Sequence, residues 1–148
     1  DFYFIISLMI IDETDNSDYF LYKFKVSNEQ KKRIKLLKKF YVENIKKNIF
    51  TEENLWKVFY ENDKIILNDI IDLHLMKNKS SIKKLIKLKE FFKDKEPPKF
   101  NINATYIMEK FKIEEGPFLG QKLKQIEKQW LENKFKISEQ KITEIVNN

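Results

Sequence analysis

Turn-forming residues are almost missing from this chain. Of its 148 residues, two are glycine and three are proline, against roughly 12% for the pair in average usage. Hairpins and sheet corners need Gly, Pro or Asn-Gly about every ten residues. All-β and doubly wound folds are therefore set aside, and the expected class is all-α. With 42% hydrophobic and 35% charged residues, the chain can bury a core and is not disordered. The absence of cysteine excludes a disulfide framework, a thiolate metal site and a cysteine nucleophile. The single histidine, His74, excludes a His–His metal motif.

Helix start signals recur along the sequence. Ser27-Asn-Glu-Gln30 reads as a capping box, opening a helix to about Asn48 with Ile34, Leu37, Tyr41 and Ile45 on one face. Thr51, followed by Glu52 and Glu53, starts a second helix carrying Leu55, Trp56, Phe59 and Tyr60. Asp63 or Asn62 caps a third, with Ile66, Ile70, Leu73 and His74. Ser80 or Ser81 caps a fourth, with Ile82, Leu85, Ile86 and Phe92 expected inward. Pro97-Pro98 breaks the chain, dividing a helical body, residues 1–96, from a helical tail, residues 97–148. In the tail, Asn103–Phe111 is a short helix. Gly116-Pro117 then reads as a stop and a start, with Gly116 in a left-handed cap and Pro117 at the first helical position. The stripe Leu119, Leu123, Ile126, Trp130 follows, and Ser138 caps a last helix with Ile142 and Ile145.

The run Phe2–Ile11 is ten residues, about half a membrane span. It lacks the basic leader of a signal peptide, and Asp12, Glu13 and Asp15 follow it. It is expected to be the last turns of a buried helix, and the chain, which opens at Asp1 within that run, a piece of a longer protein. No membrane association is expected.

Charge is segregated. Residues 1–20 carry a net −5, 23–47 carry +8, 51–76 carry −4, 77–100 carry +6 and 101–148 carry +1. Both basic blocks hold lysines off the apolar stripe. On the helix after Ser27, Lys31, Lys35, Lys38, Lys39 and Lys46 fall within roughly 100°. On the helix after Ser81, Lys83, Lys84 and Lys87 lie opposite Ile82 and Leu85, and in the tail Lys124 and Lys128 oppose the Leu119–Trp130 stripe. Such stripes have two readings. One is a solvated face in a chain where Lys outnumbers Arg 28 to 1. The other is a surface that neutralises nucleic-acid phosphates, with Tyr19, Tyr22 or Phe91 stacking on unpaired bases.

Catalytic constellations are not found. There is no glycine-rich phosphate loop, HExxH or GxSxG. Asp69 and Asp72, three apart on one helix, read as a solvated acidic face and not as a metal pair. His74, between Leu73 and Leu75, reads as a core or boundary histidine. No catalytic residue and no metal ligand is assigned to this chain.

Several stretches together resemble a known pattern: Phe100–Met108 (FNINATYIM), Glu115–Leu123 (EGPFLGQKL), Ile126–Leu131 (IEKQWL) and Phe135–Ser138 (FKIS). They are similar to the C-terminal end of bacterial class II CCA-adding tRNA nucleotidyltransferases and their poly(A) polymerase relatives, of the form FPISGKDLM, a spacer, then GPxxGxxLxxxExxW. Upstream, Tyr19–Ile34 (YFLYKFKVSNEQKKRI) resembles that family's LRLSNxExxRL stretch. Ala104-Thr105-Tyr106 departs from the family's Gly-Lys-Asp, and lysines stand where the family often has arginine.

That family runs in the order catalytic head, nucleotide-selecting neck, helical body and helical tail. The resemblance implies that this chain is body and tail, and that it binds tRNA by the acceptor–TΨC arm in the cytoplasm. It also implies that an absent head uses Mg²⁺ with CTP or ATP, so that no cofactor and no catalytic residue falls on this sequence. The candidate RNA-binding residues are Lys31, Lys35, Lys38, Lys83, Lys84, Lys87, Lys124 and Lys128. A free-standing helical module for protein partners is the alternative. The Gly116-Pro117-x-x-Gly120 turn reads as a cap with close helix packing or as a helix N-terminus meeting an RNA phosphate.

Overall fold

Side-chain caps open most of the helices. The computed structural model describes residues 1–46, 50–77 and 82–147, and among them every regular element is α-helical. Helix α1 (Phe2–Ile10) starts where the Asp1 carboxylate accepts the Phe4 N–H at 3.1 Å. Helix α2 (Asn16–Lys23) is followed by α3 (Asn28–Lys46), at whose start the Ser27 hydroxyl accepts the Gln30 N–H at 3.3 Å. Gln30 does not reach back to complete the box; its carbonyl accepts from Arg33. Thr51 caps α4 (Glu52–Glu61) and Asp63 caps α5 (Lys64–Lys77). Helix α6 (Ile82–Phe92) closes the first part. Beyond it lie α7 (Ala104–Phe111), capped by Asn103, then α8 (Pro117–Glu132) with proline in its first turn, and α9 (Glu139–Asn147), where Ser138 accepts the Lys141 N–H. The expected helix end at Asn48, the caps Ser80 or Ser81, and the side chains of Ile45 and Lys46 lie outside the described residues.

The chain forms two compact units, Asp1–Pro97 and Pro98–Asn148. In the first, α5 is the hub, packing on α1, α3, α4 and α6. That is why it is buried nearly all round, at Leu67, Asp69, Ile70, Ile71, Leu73 and His74. Leu37, Leu55, Phe59, Leu85 and Phe92 complete its core at 2% exposure or less; burying each contributes about 1.5–3 kcal/mol. In the second unit, α8 packs on α7 and α9 through Ile107, Leu119, Ile126, Ile142 and Val146. Trp130 lies between Phe100 and Phe135, ring centroids 5.2 and 5.0 Å away.

Several expectations are corrected. Helix α1 is not a buried helix: Phe2, Ile5 and Met9 are exposed, and only the opposite face meets α2, α3 and α5. Helix α2 had no counterpart among the expected elements. In α6, Ile82 and Ile86 point outward, because the face turned to α5 is Leu85, Leu88 and Phe92 at i, i+3 and i+7. In α8, Leu123 is only half-buried and Lys122 takes a buried place, its Nζ donating to the Ile145 carbonyl at 2.9 Å. Gly116 is extended (φ 167°) and not left-handed, while the left-handed positions belong to Lys112, Lys134 and Phe135. A Cβ at Gly116 or Gly120 would meet nothing within 4 Å, so no close helix packing requires either glycine.

Candidate nucleic-acid interface

Packing decides which lysines face outward. With Leu85, Leu88 and Phe92 turned to the core, Lys83, Lys84 and Lys87 stand exposed on α6. They line an open groove of about 810 Å³ whose other wall is Phe50, Thr51 and Glu52 at the start of α4, with Leu88 and Phe91 along α6. Lys83 and Lys84 occupy the first turn of α6, which contains no acid. The helix dipole makes that end positive, so a cation there costs up to about 1 kcal/mol of helix stability. The start of α4 adds a second positive helix end, which Glu52 offsets in part. Lys83 and Lys87 have no ion-pair partner among the described residues.

The α3 lysines divide. Lys31, Lys32, Lys35 and Lys39, with Asn28 and Leu36, line a shallower groove of about 500 Å³. Lys38 does not join them: its Nζ is held 2.7 Å from the Asp18 carboxylate of α2, tying the two helices. The structure thus gathers Lys83, Lys84 and Lys87 in one groove and Lys31 and Lys35 in another. In the second unit, Lys124 and Lys128 are exposed on α8. Lys128 sits 3.9 Å from Glu132 and lines a hollow of about 310 Å³ with Lys141 and three uncharged residues. Tyr19, Tyr22 and Phe91, the candidate stacking rings, are all exposed.

Other charged groups serve the fold. Arg33, the single arginine, is buried on α3; its Nε and Nη2 both lie 2.6 Å from Asp69 Oδ2, and its Nη1 donates to Asp1 at 2.9 Å. Burial pushes the Asp69 carboxyl above its ordinary value, and the Arg33 guanidinium pulls it back. Asp72 accepts from Lys89 Nζ at 2.5 Å. The pair Asp69 and Asp72 is therefore no solvated face, since each acid is matched to a cation on another helix. His74 is buried and stacked on Phe50 at 4.4 Å, and burial lowers its pKa. In the second unit Lys110 bonds Glu139 at 2.7 Å and Tyr106 at 2.9 Å, and Tyr106 donates to Glu139 at 3.0 Å. Glu139 is lowered by these bonds and Lys110 is raised by them. Among the described residues no three acidic or histidine side chains converge as metal ligands.

This all-α chain matches a family model described as tRNA nucleotidyltransferase domain 2 over residues 3–146. The chain belongs to this family. No curated protein and no solved structure matches it. The match takes in both compact units, so tRNA nucleotidyltransferase domain 2 here spans all nine of the helices described and every candidate lysine. Where this domain departs from the pattern it resembles, at Tyr106, the side chain joins α7 to α9 through Glu139. Among the described residues no helix is long and apolar enough to cross a membrane.

Proposed function

We propose that this chain is the RNA-holding part of a tRNA nucleotidyltransferase. Its lysines grip the phosphates of the tRNA acceptor–TΨC arm while a catalytic head elsewhere in the enzyme extends the 3′ end. The carrying observation is the α4–α6 groove, where lysines occupy the wrong end of a helix dipole and Lys83 and Lys87 go unpaired among the described residues. Fold stability does not favour that arrangement, and an anionic ligand does. Residues 1–96 act as body and 97–148 as tail, both cytoplasmic. Lys31, Lys35, Lys83, Lys84 and Lys87 are the principal contacts, with Lys124 and Lys128 next; Lys38 contributes only if it leaves Asp18. Lysine meets phosphate as a point charge and reads no base, so recognition is of backbone shape. Mg²⁺ and CTP or ATP act at the head, whose choice makes the parent CCA-adding or a poly(A) polymerase; the chain alone incorporates no nucleotide.

A minihelix of the acceptor and TΨC arms should bind the chain about as tightly as whole tRNA, and an anticodon hairpin of similar charge clearly less tightly. Equal binding of the two hairpins would remove the acceptor arm from this reading. A second reading, docking on a protein partner, draws on the exposed Phe2, Ile5 and Met9 of α1; binding of no RNA at low salt would favour it.

A further inference from the structure

Unlike the α3 lysine groove, the α4–α6 groove has aromatic rings in its lining, the buried Phe50 and the exposed Phe91. Lys83, Lys87 and Phe91 follow one another at i, i+4 and i+8 along α6, one stripe with steps of about 6 Å. Phe91 is 37% exposed, and edge-to-face contacts with Trp56 at 6.2 Å and Phe92 at 5.0 Å fix its ring. Lys95 Nζ sits over the same ring, 5.3 Å from its centroid, so a stacking base takes the other face or displaces this cation. The groove is also polar across its width. Ammonium groups line the α6 wall, and Glu52 brings a carboxylate on the α4 wall. A phosphate is therefore drawn to α6 in preference to α4, whose positive end Glu52 offsets in part, which leaves the attached base beside the aromatic end. The α3 groove has Asn28, Leu36 and lysines only, and can hold a duplex backbone but stack nothing.

The geometry points to the α4–α6 groove as a site for an unpaired nucleotide, its phosphate on Lys83 and Lys87 and its base stacked on Phe91. This rests on the RNA-holding reading and adds to it a single-stranded element that the duplex arm does not supply. A fixed ring and a cationic rail are the two parts that sequence-tolerant single-strand binding sites combine. Stacking on one aromatic side chain makes a difference of about tenfold or more in affinity.

The test titrates the whole chain with three labelled RNAs: hexacytidylate, a hexamer with the same phosphates but abasic sugars, and tRNA. The expected result is that hexacytidylate binds about tenfold more tightly than the abasic hexamer. Phe91→Leu should remove that difference, leaving abasic binding unchanged, and Phe91→Trp should retain it; retention guards against a mere folding defect. Lys83→Gln with Lys87→Gln should weaken both hexamers alike. Equal binding of the two hexamers to the natural chain, or equal losses on both in Phe91→Leu, would overturn the nucleotide site. If tRNA still binds in a salt-dependent way in that case, the RNA-holding reading stands and only the groove proposal falls. If no RNA binds, both fall.

Discussion

Burial of an ionisable group makes stability depend on pH, and His74 shows it. It lies at 3% exposure against the ring of Phe50, and burial lowers its pKa from an ordinary 6.5. The folded state therefore keeps the imidazole neutral, while the unfolded chain protonates it on passing below that value. A depressed folded pKa contributes stability that is present above 6.5 and is lost as pH falls towards the folded value. The denaturant midpoint should accordingly fall between about pH 7.5 and about pH 5, and His74→Phe should flatten that dependence whatever its absolute stability. Identical pH profiles for the two proteins would mean that His74 is not held neutral by its burial. Arg33 is buried with its charge matched by Asp69 and Asp1. In a chain of 28 lysines, the one planar fork stands where several directed donors are needed at once.

At the scale of elements, α8 shows how a stripe becomes a unit. Leu119, Ile126 and Trp130 face α7 and α9, and Trp130 fills the space between Phe100 and Phe135. Trp130→Ala should cost about 3–5 kcal/mol, read as a lower denaturant midpoint; a midpoint unchanged within error would show that this ring carries no core. Helix starts were legible in the sequence at Ser27, Thr51, Asp63, Asn103 and Ser138, where the cap is a local bond, but not at α1, whose Asp1 cap was not read. Helix α2 was not legible, because Asp15 makes no side-chain cap bond and only Ser17 and Leu21 are buried. Exposure of Ile82 and Ile86, or of Phe2, Ile5 and Met9, depends on how many neighbours a helix acquires, which spacing alone does not carry. The same holds for Asp69, whose partner is 36 residues away, and for Lys122, held by the last turn of α9. The lysine stripes were legible as exposed faces. Loss of Lys38 to Asp18, and the meeting of Lys83, Lys84 and Lys87 with the start of α4, required the tertiary fold.

At the scale of the whole molecule, the acidic blocks and basic blocks serve different ends. Acids at Asp1, Asp18, Asp69 and Asp72 are matched to cations between helices of the first unit. The surplus of positive charge is left on α3 and α6, facing solvent. A tRNA nucleotidyltransferase domain built this way should hold its substrate by released counterions more than by base contacts. The most direct measurement is a tRNA titration across a salt series, comparing the natural chain with Lys83→Glu, Lys87→Glu. Each lost phosphate contact lowers the magnitude of the log K against log salt slope by roughly 0.7–0.9, so the double variant should bind more weakly with a slope shallower by about 1.4–1.8. Its helical signal should be unchanged, since both side chains are exposed. Equal affinities and equal slopes would contradict the RNA-holding role of the α4–α6 groove and leave these lysines as a solvated face.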